Sequence, residues 1–405
     1  MPMKFQIQKK LDKLCRLGLI TSMNGYHKNI ETPTTLLFLK DGHFPFLTPD
    51  MVEKIKYLPD IIQCPLNYVI DKLEILEKFG LGLASFIGAN GCPIIITQSD
   101  QSQDDIDGGV TKNSISAWCI GGRCQITLND YFRMIKSCNP LMWQAPCDSE
   151  SPIFNPSEKR LQKSVERTIS FLNTTRKEST NKTLPGVCLT SFTGGMNWLR
   201  RRQCLERMLT EDSKGIVIDG FHGMKGCTGQ LLDDTMSLVE RINTRIQEFD
   251  ELKIIMLPKL HQPFQIVQAV QRGIDLFDGA FPYLLTVSKI AWVYPGFSGA
   301  EGDLNGSQWL DLTREEHEDI FDTTIDNNCK CFACQHHTRG YINHLIKTNE
   351  LLADILIMSH NATQYYQFFN EMRISMANGE FKAFHDWALQ IECPEDLLTS
   401  DKMCL

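Results

Sequence analysis

Short apolar runs of strand length alternate with longer amphipathic stretches along much of the chain. Strands that are buried on both faces carry near-continuous apolar residues, as the strands of a parallel sheet do. The alternation therefore predicts a set of buried, parallel strands. These strands are expected at residues 35–39, 93–97, 186–190, 215–219, 253–257 and 276–278.

Amphipathic stretches that follow two of these runs predict helices. Residues 195–209 place apolar side chains on one helical face and leave three consecutive arginines, residues 200–202, outside it. Residues 263–273 repeat the pattern, and Gly273 suits the left-handed position that follows a helix. Strands that alternate with helices over this length favour an α/β barrel or a doubly wound sheet.

Polar stretches rich in Ser, Thr, Asn, Pro or charged residues interrupt the alternation and predict surface loops. One of them follows the strand at 93–97 directly, so it is expected at the carboxyl end of that strand. The predicted loops span residues 98–107, 147–157, 174–184 and 299–306.

The composition narrows the classes of function. The net charge of −8 argues against an extended basic surface that binds nucleic acid alone. The 15 cysteines are scattered and odd in number, which is typical of a reducing compartment. Residues 1–13 hold no apolar run, and no uncharged apolar span reaches membrane-spanning length. We therefore expect a cytoplasmic protein without a secretory signal.

Three cysteines lie close together near the end of the chain. Cys329, Cys331 and Cys334 form a C-x-C-x-x-C pattern, which can present three thiolates to one tetrahedral metal ion. A fourth ligand is still needed. The candidates are His336, His337, His344 and His360.

His360 lies on the apolar face of a predicted helix, where a buried imidazole needs a partner. The alternative is that the cysteines are ordinary buried thiols and His360 binds a carbonyl. In a reducing compartment the cysteine spacing favours a metal. A Cys₃His shell has no open position, so the ion would be structural zinc, one per chain.

Several segments together resemble the tRNA-guanine transglycosylases, the queuine tRNA-ribosyltransferases. The zinc segment continues into residues 339–345, Glu350 and His360-Asn361 in the order that the family shows. Further similar segments are Glu31-Thr32-Pro33, residues 163–168, residues 215–220 and residues 272–278. The resemblance covers nearly the whole chain.

This resemblance implies a (β/α)₈ TIM barrel with an inserted structural zinc-binding subdomain, and it selects His360 as the fourth ligand. It implies three regions: the main part of the barrel in residues 1–290, the zinc subdomain and closing barrel elements in 291–370, and a helical segment in 371–405. The family exchanges guanine at the wobble position of tRNA anticodons for queuine or a precursor.

The family's chemistry uses two aspartates at the barrel mouth, a nucleophile and a general acid/base. Asp278 matches the nucleophile. Gln98 stands where the second aspartate belongs, and an amide cannot take a proton at neutral pH. Asp100 and Gln101 replace two glycines of the base pocket. Asp100 is two residues from Gln98, so rescue of the lost aspartate by its carboxylate is the alternative.

Two further segments depart from the family. Residues 282–287 replace the Pro-Thr-Arg segment that holds the anticodon loop, so positive charge is missing there. Asp219 and His222 occupy the segment of the base-binding loop. They suggest either a new acid/base pair or drift in a pocket that no longer catalyses, and we favour drift.

The resemblance is greatest to the noncatalytic accessory subunit of the eukaryotic enzyme. It implies a heterodimer with a catalytic subunit, contact with tRNA through that complex, a homodimer in isolation, and peripheral attachment to the mitochondrial outer membrane. Catalytic residues are then expected to be absent, with Asp278 as a remnant. The alternatives are a self-sufficient transglycosylase that uses Asp278, a zinc hydrolase, and a zinc-dependent RNA-binding protein.

Overall fold

The computed structural model describes residues 3–21, 29–103, 109–119, 121–149, 156–181, 184–209, 213–221, 229–248, 252–297 and 308–393. The predicted loop at 299–306 and His222 lie outside these ranges. The chain forms two compact units. The barrel unit comprises Met1–Gly42, Asp60–Leu260 and Gln268–Asp278, and the helical unit comprises His43–Pro59, His261–Val267 and Gly279–Leu405. The three sequence regions at 1–290, 291–370 and 371–405 remain a prediction.

The strands of the barrel unit form an amino-terminal antiparallel sheet, a hairpin and a large parallel sheet. In chain order they are β1 Lys4–Lys10, β2 Arg16–Thr21, β3 Ile30–Thr32, β4 Thr34–Thr35, β5 Leu37–Phe38, β6 Ile62–Pro65, β7 Ile94–Thr97, β8 Ser114–Cys119, β9 Gly122–Thr127, β10 Met142–Gln144, β11 Val187–Phe192, β12 Gly215–Ile218, β13 Ile254–Met256 and β14 Leu276–Phe277.

The parallel sheet closes on itself. Its order is β4-β14-β13-β12-β11-β10-β7-β6-β5, and β4 and β5 are two halves of one strand separated by Leu36. Leu36 N donates to Phe277 O at 3.0 Å, and Leu37 N donates to Ile61 O at 2.9 Å, so one strand joins both ends of the sheet. Eight parallel strands therefore make a ring, which confirms the predicted (β/α)₈ barrel.

Helices follow many of these strands along the chain, and further helices follow the last barrel strand. In chain order they are α1 Pro49–Val52, α2 Leu73–Phe79, α3 Leu83–Phe86, α4 Leu128–Cys138, α5 Glu158–Asn181, α6 Trp198–Met208, α7 Gly229–Ile246, α8 Pro263–Gln271, α9 Phe281–Val287, α10 Phe332–His336, α11 Arg339–Lys347, α12 Leu351–Asn378 and α13 Phe381–Ala388. None of the described helices is both long enough and apolar enough to cross a bilayer.

The predicted strands and helices are present, and Gly273 has the expected positive φ of 85°. Strands β6 and β10 were missed because each carries a glutamine and the latter has only three residues. The predicted loop at 174–184 is wrong, because α5 runs through Asn181. Its threonine hydroxyls bind carbonyls one turn back, as Thr175 Oγ1 does with Phe171 O at 2.9 Å, so these residues fit a helix.

Arg201 also departs from the expected pattern, because it is buried rather than outside the apolar face of its helix. Its guanidinium donates to Gly195 O at 2.9 Å and Phe192 O at 2.8 Å. The guanidinium carbon also lies 4.2 Å from the ring centroid of Phe221. Backbone carbonyls and an aromatic face thus replace the water that an exposed arginine would have.

The barrel interior is filled by apolar side chains from most of the strands, as a packed core requires. Its members include Leu36, Ile95, Met142, Leu189, Val217, Ile254, Met256 and Leu276. The amino-terminal sheet adds Ile20 and Ile30 to the same core.

A buried ion pair joins the amino-terminal sheet to the last barrel strand. Arg16 Nε and Nη2 donate to the two carboxylate oxygens of Asp275 at 3.0 and 2.6 Å. Asp275 Oδ2 also accepts from Ile255 N at 2.8 Å. Both side chains are buried, so the pair is costly to break although its net contribution to stability is small.

The helical unit contains the antiparallel pair β15 Ile290–Trp292 and β16 Trp309–Asp311 and the 28-residue helix α12. Trp292 and Trp309 stack across the strand pair with ring centroids 5.4 Å apart. A second apolar cluster fills this unit beneath the cysteine segment and includes Leu312, Ile325, Ile342, Leu345, Leu356 and Ile357.

We predict that Asp275→Asn lowers the free energy of unfolding by about 3–5 kcal/mol, because it leaves the Arg16 charge buried without a carboxylate. Urea denaturation followed by circular dichroism measures this loss. Glu77→Gln is the matched control, since its ion pair with Arg133 is on the surface. Equal denaturation midpoints for Asp275→Asn and the wild type would contradict the assigned role of the pair.

Candidate metal centre and barrel mouth

The cysteine segment folds into a compact turn at the start of α10. Cys331 N donates to Cys329 Sγ at 3.4 Å, and Cys334 N donates to Cys331 Sγ at 3.4 Å. Backbone N–H groups directed at sulfur favour the thiolate form, which is the form that binds metals. The turn therefore prepares the sulfurs as ligands.

His360 comes from the interior of α12 and is fully buried. Its Nε2 lies 2.8 Å from Trp292 O, and its Nδ1 lies 3.3 Å from Cys334 Sγ and 3.6 Å from Cys331 Sγ. Since a carbonyl only accepts, Nε2 carries a proton, and Nδ1, which faces the sulfurs, is the atom that would bind a metal. The carbonyl of Trp292 thus orients the imidazole as a ligand in the way second-shell groups do.

The four candidate ligand atoms lie within 4.8 Å of one another, so the residues can hold one metal ion. A tetrahedral zinc ion with Zn–S bonds of about 2.3 Å separates its sulfurs by about 3.8 Å, which fits this spacing. Three sulfurs and one imidazole nitrogen are also a donor set that suits zinc.

The close packing of these thiols and the imidazole shifts their pKa values. Hydrogen bonds from the Cys331 and Cys334 thiols hold the pKa of Cys329 well below its usual range. Burial opposes protonation of His360, but the Cys329 and Cys331 sulfurs outweigh it and raise the pKa of His360 to about 10. Hydrogen bonds to Cys329 and Cys331 instead raise the pKa of Cys334 well above its usual range. The sulfurs therefore share protons, and a divalent cation bound among them would favour the thiolate forms.

The other candidate histidines lie apart from this cluster. His336 and His337 contact the ring of Phe332, with centroids 4.9 and 5.8 Å away, and His344 is exposed on α11. His337 also stacks on Tyr341 at 5.3 Å. The structure thus groups His360, and not these three, with the cysteines.

The carboxyl ends of the barrel strands carry the second candidate site. Asp278 follows β14 and is fully buried. Its Oδ2 accepts from Lys259 N at 2.6 Å, and its main-chain carbonyl accepts from Thr35 Oγ1 at 2.8 Å. The carboxylate that the resemblance matches to the family's nucleophile is therefore held at the barrel mouth.

Gln98 follows β7, and both the oxygen and the nitrogen of its side-chain amide form hydrogen bonds with the backbone of Cys147. Its Oε1 accepts from Cys147 N at 2.7 Å, and its Nε2 donates to Cys147 O at 2.9 Å. Gln98 N also donates to Gln144 Oε1 at 3.1 Å. An aspartate could accept from Cys147 N but could not donate to the carbonyl. The amide of Gln98 therefore satisfies both backbone groups of Cys147, which an ionised aspartate could not do.

Asp100 is engaged in a separate set of contacts. Its Oδ1 accepts from Ser102 N at 2.8 Å and from Ser102 Oγ at 2.7 Å, and its Oδ2 accepts from the Tyr68 hydroxyl. The neighbouring Gln101 accepts from Gln63 Nε2. The two residues that the resemblance matches to the family's pocket glycines are therefore both buried and hydrogen-bonded.

Asp219 follows β12 and completes the network. Its Oδ2 accepts from Gln144 Nε2 at 2.7 Å and from Cys147 Sγ at 3.5 Å, and its Oδ1 accepts from Gly220 N at 2.7 Å. Burial raises the pKa of the Cys147 thiol, and the nearby Asp219 raises it further. The predicted pairing of Asp219 with His222 involves a residue outside the described ranges.

Asp148 was missed by the sequence analysis. It is fully buried and pairs with Arg160 at 2.7 Å and Arg167 at 2.9 Å. Ser164 Oγ also donates to Asp148 O at 2.6 Å. The spacing of Arg160, Ser164 and Arg167 on one face of α5 was a usable signal for a buried anion opposite that face. No comparable signal marks Gln144 or Cys147, whose partner Gln98 is remote in sequence.

Comparison with known proteins agrees with this geometry. A sequence model of the family described as "Queuine tRNA-ribosyltransferase" matches residues 12–391. The chain is 30% identical over 385 residues to "Queuine tRNA-ribosyltransferase accessory subunit 2" of Drosophila erecta, covering 93% of this chain and 89% of the relative. The protein of the same name from Xenopus tropicalis is 28% identical over 416 residues, covering 94% and 98%. The chain therefore belongs to the queuine tRNA-ribosyltransferase family.

Proposed function

We propose that this chain is the noncatalytic accessory subunit of a heterodimeric queuine tRNA-ribosyltransferase. In this role it supports a catalytic partner that exchanges guanine for queuine at the wobble position of tRNA anticodons. The observation that carries the proposal is the double hydrogen bond between the Gln98 amide and the Cys147 backbone. The names of the relatives give the same role to similar chains.

Base exchange at a glycosidic carbon needs one carboxylate to attack and another group to move a proton. Asp278 can supply the first role, but Gln98 has no titratable group for the second. Its amide is also held by Cys147, so it is not free to bind the purine edge. One half of the catalytic pair is therefore missing.

Neighbouring carboxylates are poorly placed to replace that half. Asp100 directs its oxygens at Ser102 and Tyr68, and Asp219 directs its oxygens at Gln144 and Gly220. Recruiting either carboxylate would break hydrogen bonds in a buried setting, at a cost of about 1–3 kcal/mol for each group left unpaired. This supports loss of catalysis rather than transfer of the proton-moving role to another carboxylate of the mouth.

The metal centre supports a structural role for zinc. Cys329, Cys331, Cys334 and His360 would supply all four ligands of a tetrahedral zinc ion, which would leave no position for a reactive water. Bound zinc would supply a cross-link between the turn at α10 and helix α12. The same proposal places the chain in the cytoplasm, with peripheral attachment to the mitochondrial outer membrane and tRNA contact through the complex.

Exchange of radiolabelled guanine into tRNA tests the proposal. The purified chain alone is expected to give no turnover, whereas mixing it with the catalytic subunit gives activity above that of the catalytic subunit alone. Gln98→Asp is expected to remain inactive and to lose about 1–3 kcal/mol of stability, because Cys147 O loses its donor. The exposed Gln162→Asp is the control for stability.

Turnover by the isolated wild-type chain would overturn the accessory role. Turnover by the isolated Gln98→Asp variant would show that this one substitution restores catalysis. That result would contradict the proposal that the hydrogen-bond network around Gln98 prevents an aspartate there from acting as the general base.

We predict that Cys334→Ser and His360→Ala each lower the bound zinc at least about tenfold and lower the thermal midpoint, because a closed site needs all four ligands. Elemental analysis after dialysis and a thermal melt measure the two effects. His344→Ala is the matched control, since that histidine is exposed outside the cluster. Full zinc content in either ligand variant would contradict the ligand assignment.

A further inference from the structure

A small cavity of about 200 Å³ lies in the barrel unit beside the amino-terminal sheet. Lys10, Lys13, Arg16 and Lys253 line it, together with aliphatic residues such as Ile7 and Ile255, and none of its described lining residues is acidic. In a chain of net charge −8, this is a local concentration of positive charge. Lys253 precedes β13, so the cavity is at the amino-terminal end of the barrel strands, away from Asp278 and the mouth.

Arg16 gives the cavity a fixed donor. The residue is 6% exposed, and its Nε and Nη2 are held by Asp275 and by Lys253 O. Within the described ranges, no hydrogen-bond acceptor contacts its Nη1. A guanidinium that is locked by two partners and keeps one free N–H edge is preorganised for an anion, because little side-chain entropy remains to be lost.

The lysines supply mobile positive charge around this donor. Lys10 and Lys13 are exposed, on β1 and in the turn that follows it, and both line the cavity. Lys253 is buried and donates from Nζ to Ser213 O at 2.6 Å. Several cationic side chains that line one small space suit a tetrahedral oxyanion better than a flat carboxylate, since such an anion offers more acceptor oxygens.

We infer that this cavity is a binding site for a phosphate group, either inorganic phosphate or the phosphate of a small phosphate monoester. Arg16 contacts the anion through Nη1, and Lys10 and Lys13 neutralise its charge. The aliphatic wall next to the cations limits access of water and strengthens these contacts. The site is independent of the metal centre and of base exchange.

A thermal-shift titration of the full chain tests the inference. Sodium phosphate, adenosine monophosphate and adenosine are titrated separately, with sodium chloride matched for ionic strength. Phosphate is expected to raise the melting temperature above the chloride control in a saturable way. Tighter binding of adenosine monophosphate than of phosphate would identify a monoester as the ligand, and weaker binding would identify free phosphate. Both results support the site.

The variant Lys10→Gln/Lys13→Gln is expected to raise the apparent dissociation constant for phosphate about tenfold or more, since it removes two charge-assisted contacts. Lys4→Gln/Lys9→Gln changes the net charge equally on the same strand but away from the cavity, and it should leave the constant unchanged. Circular dichroism verifies that both variants fold. No phosphate-specific shift in the wild type, or equal weakening by both variants, would overturn the inference.

Discussion

Polar groups that are buried at the ends of the barrel strands must find hydrogen-bond partners, because each unpaired group costs about 1–3 kcal/mol. In this chain the partners are other residues of the mouth. Gln98 binds both backbone groups of Cys147, and Gln144 links Gln98 to Asp219. The network is closed on itself, so each member constrains the others, and a substrate would have to compete with these existing bonds.

The buried polar groups of the candidate metal centre also need partners, and here one partner could be a metal ion. His360 is fully buried, and its Nε2 donates a hydrogen bond to Trp292 O while its Nδ1 is directed at sulfur. The three sulfurs and this imidazole together form a buried cluster that could hold one metal ion.

Much of the fold followed from local patterns. The strands near Ile94 and Gly215 are short apolar runs typical of strands buried on both faces, and the C-x-C-x-x-C spacing brings three sulfurs together through local geometry. The carboxyl-terminal part of α5 was predicted as a loop because threonine has a low helix propensity, but its hydroxyl can bind a carbonyl of the preceding turn within a helix, as Thr175 does.

Local sequence patterns could not predict the hydrogen-bond network at the barrel mouth, because its members are remote in sequence. Gln98 and Cys147 belong to different strand ends, and their contact depends on the parallel pairing of β7 with β10. Sequence comparison could mark Gln98 as a departure from the family, but only the fold shows that its amide is bonded at both ends. The buried Asp148 pairs with Arg160 and Arg167 on the same principle, through a helix packed against a strand end.

We propose that the covalent step of base exchange occurs on the catalytic partner and not on Asp278 of this chain. A carboxylate nucleophile forms a covalent ribosyl intermediate, so the working complex can be denatured during turnover and each subunit examined for attached RNA. We expect an RNA adduct on the catalytic subunit and none on this chain. An adduct on this chain that disappears in Asp278→Ala would contradict it.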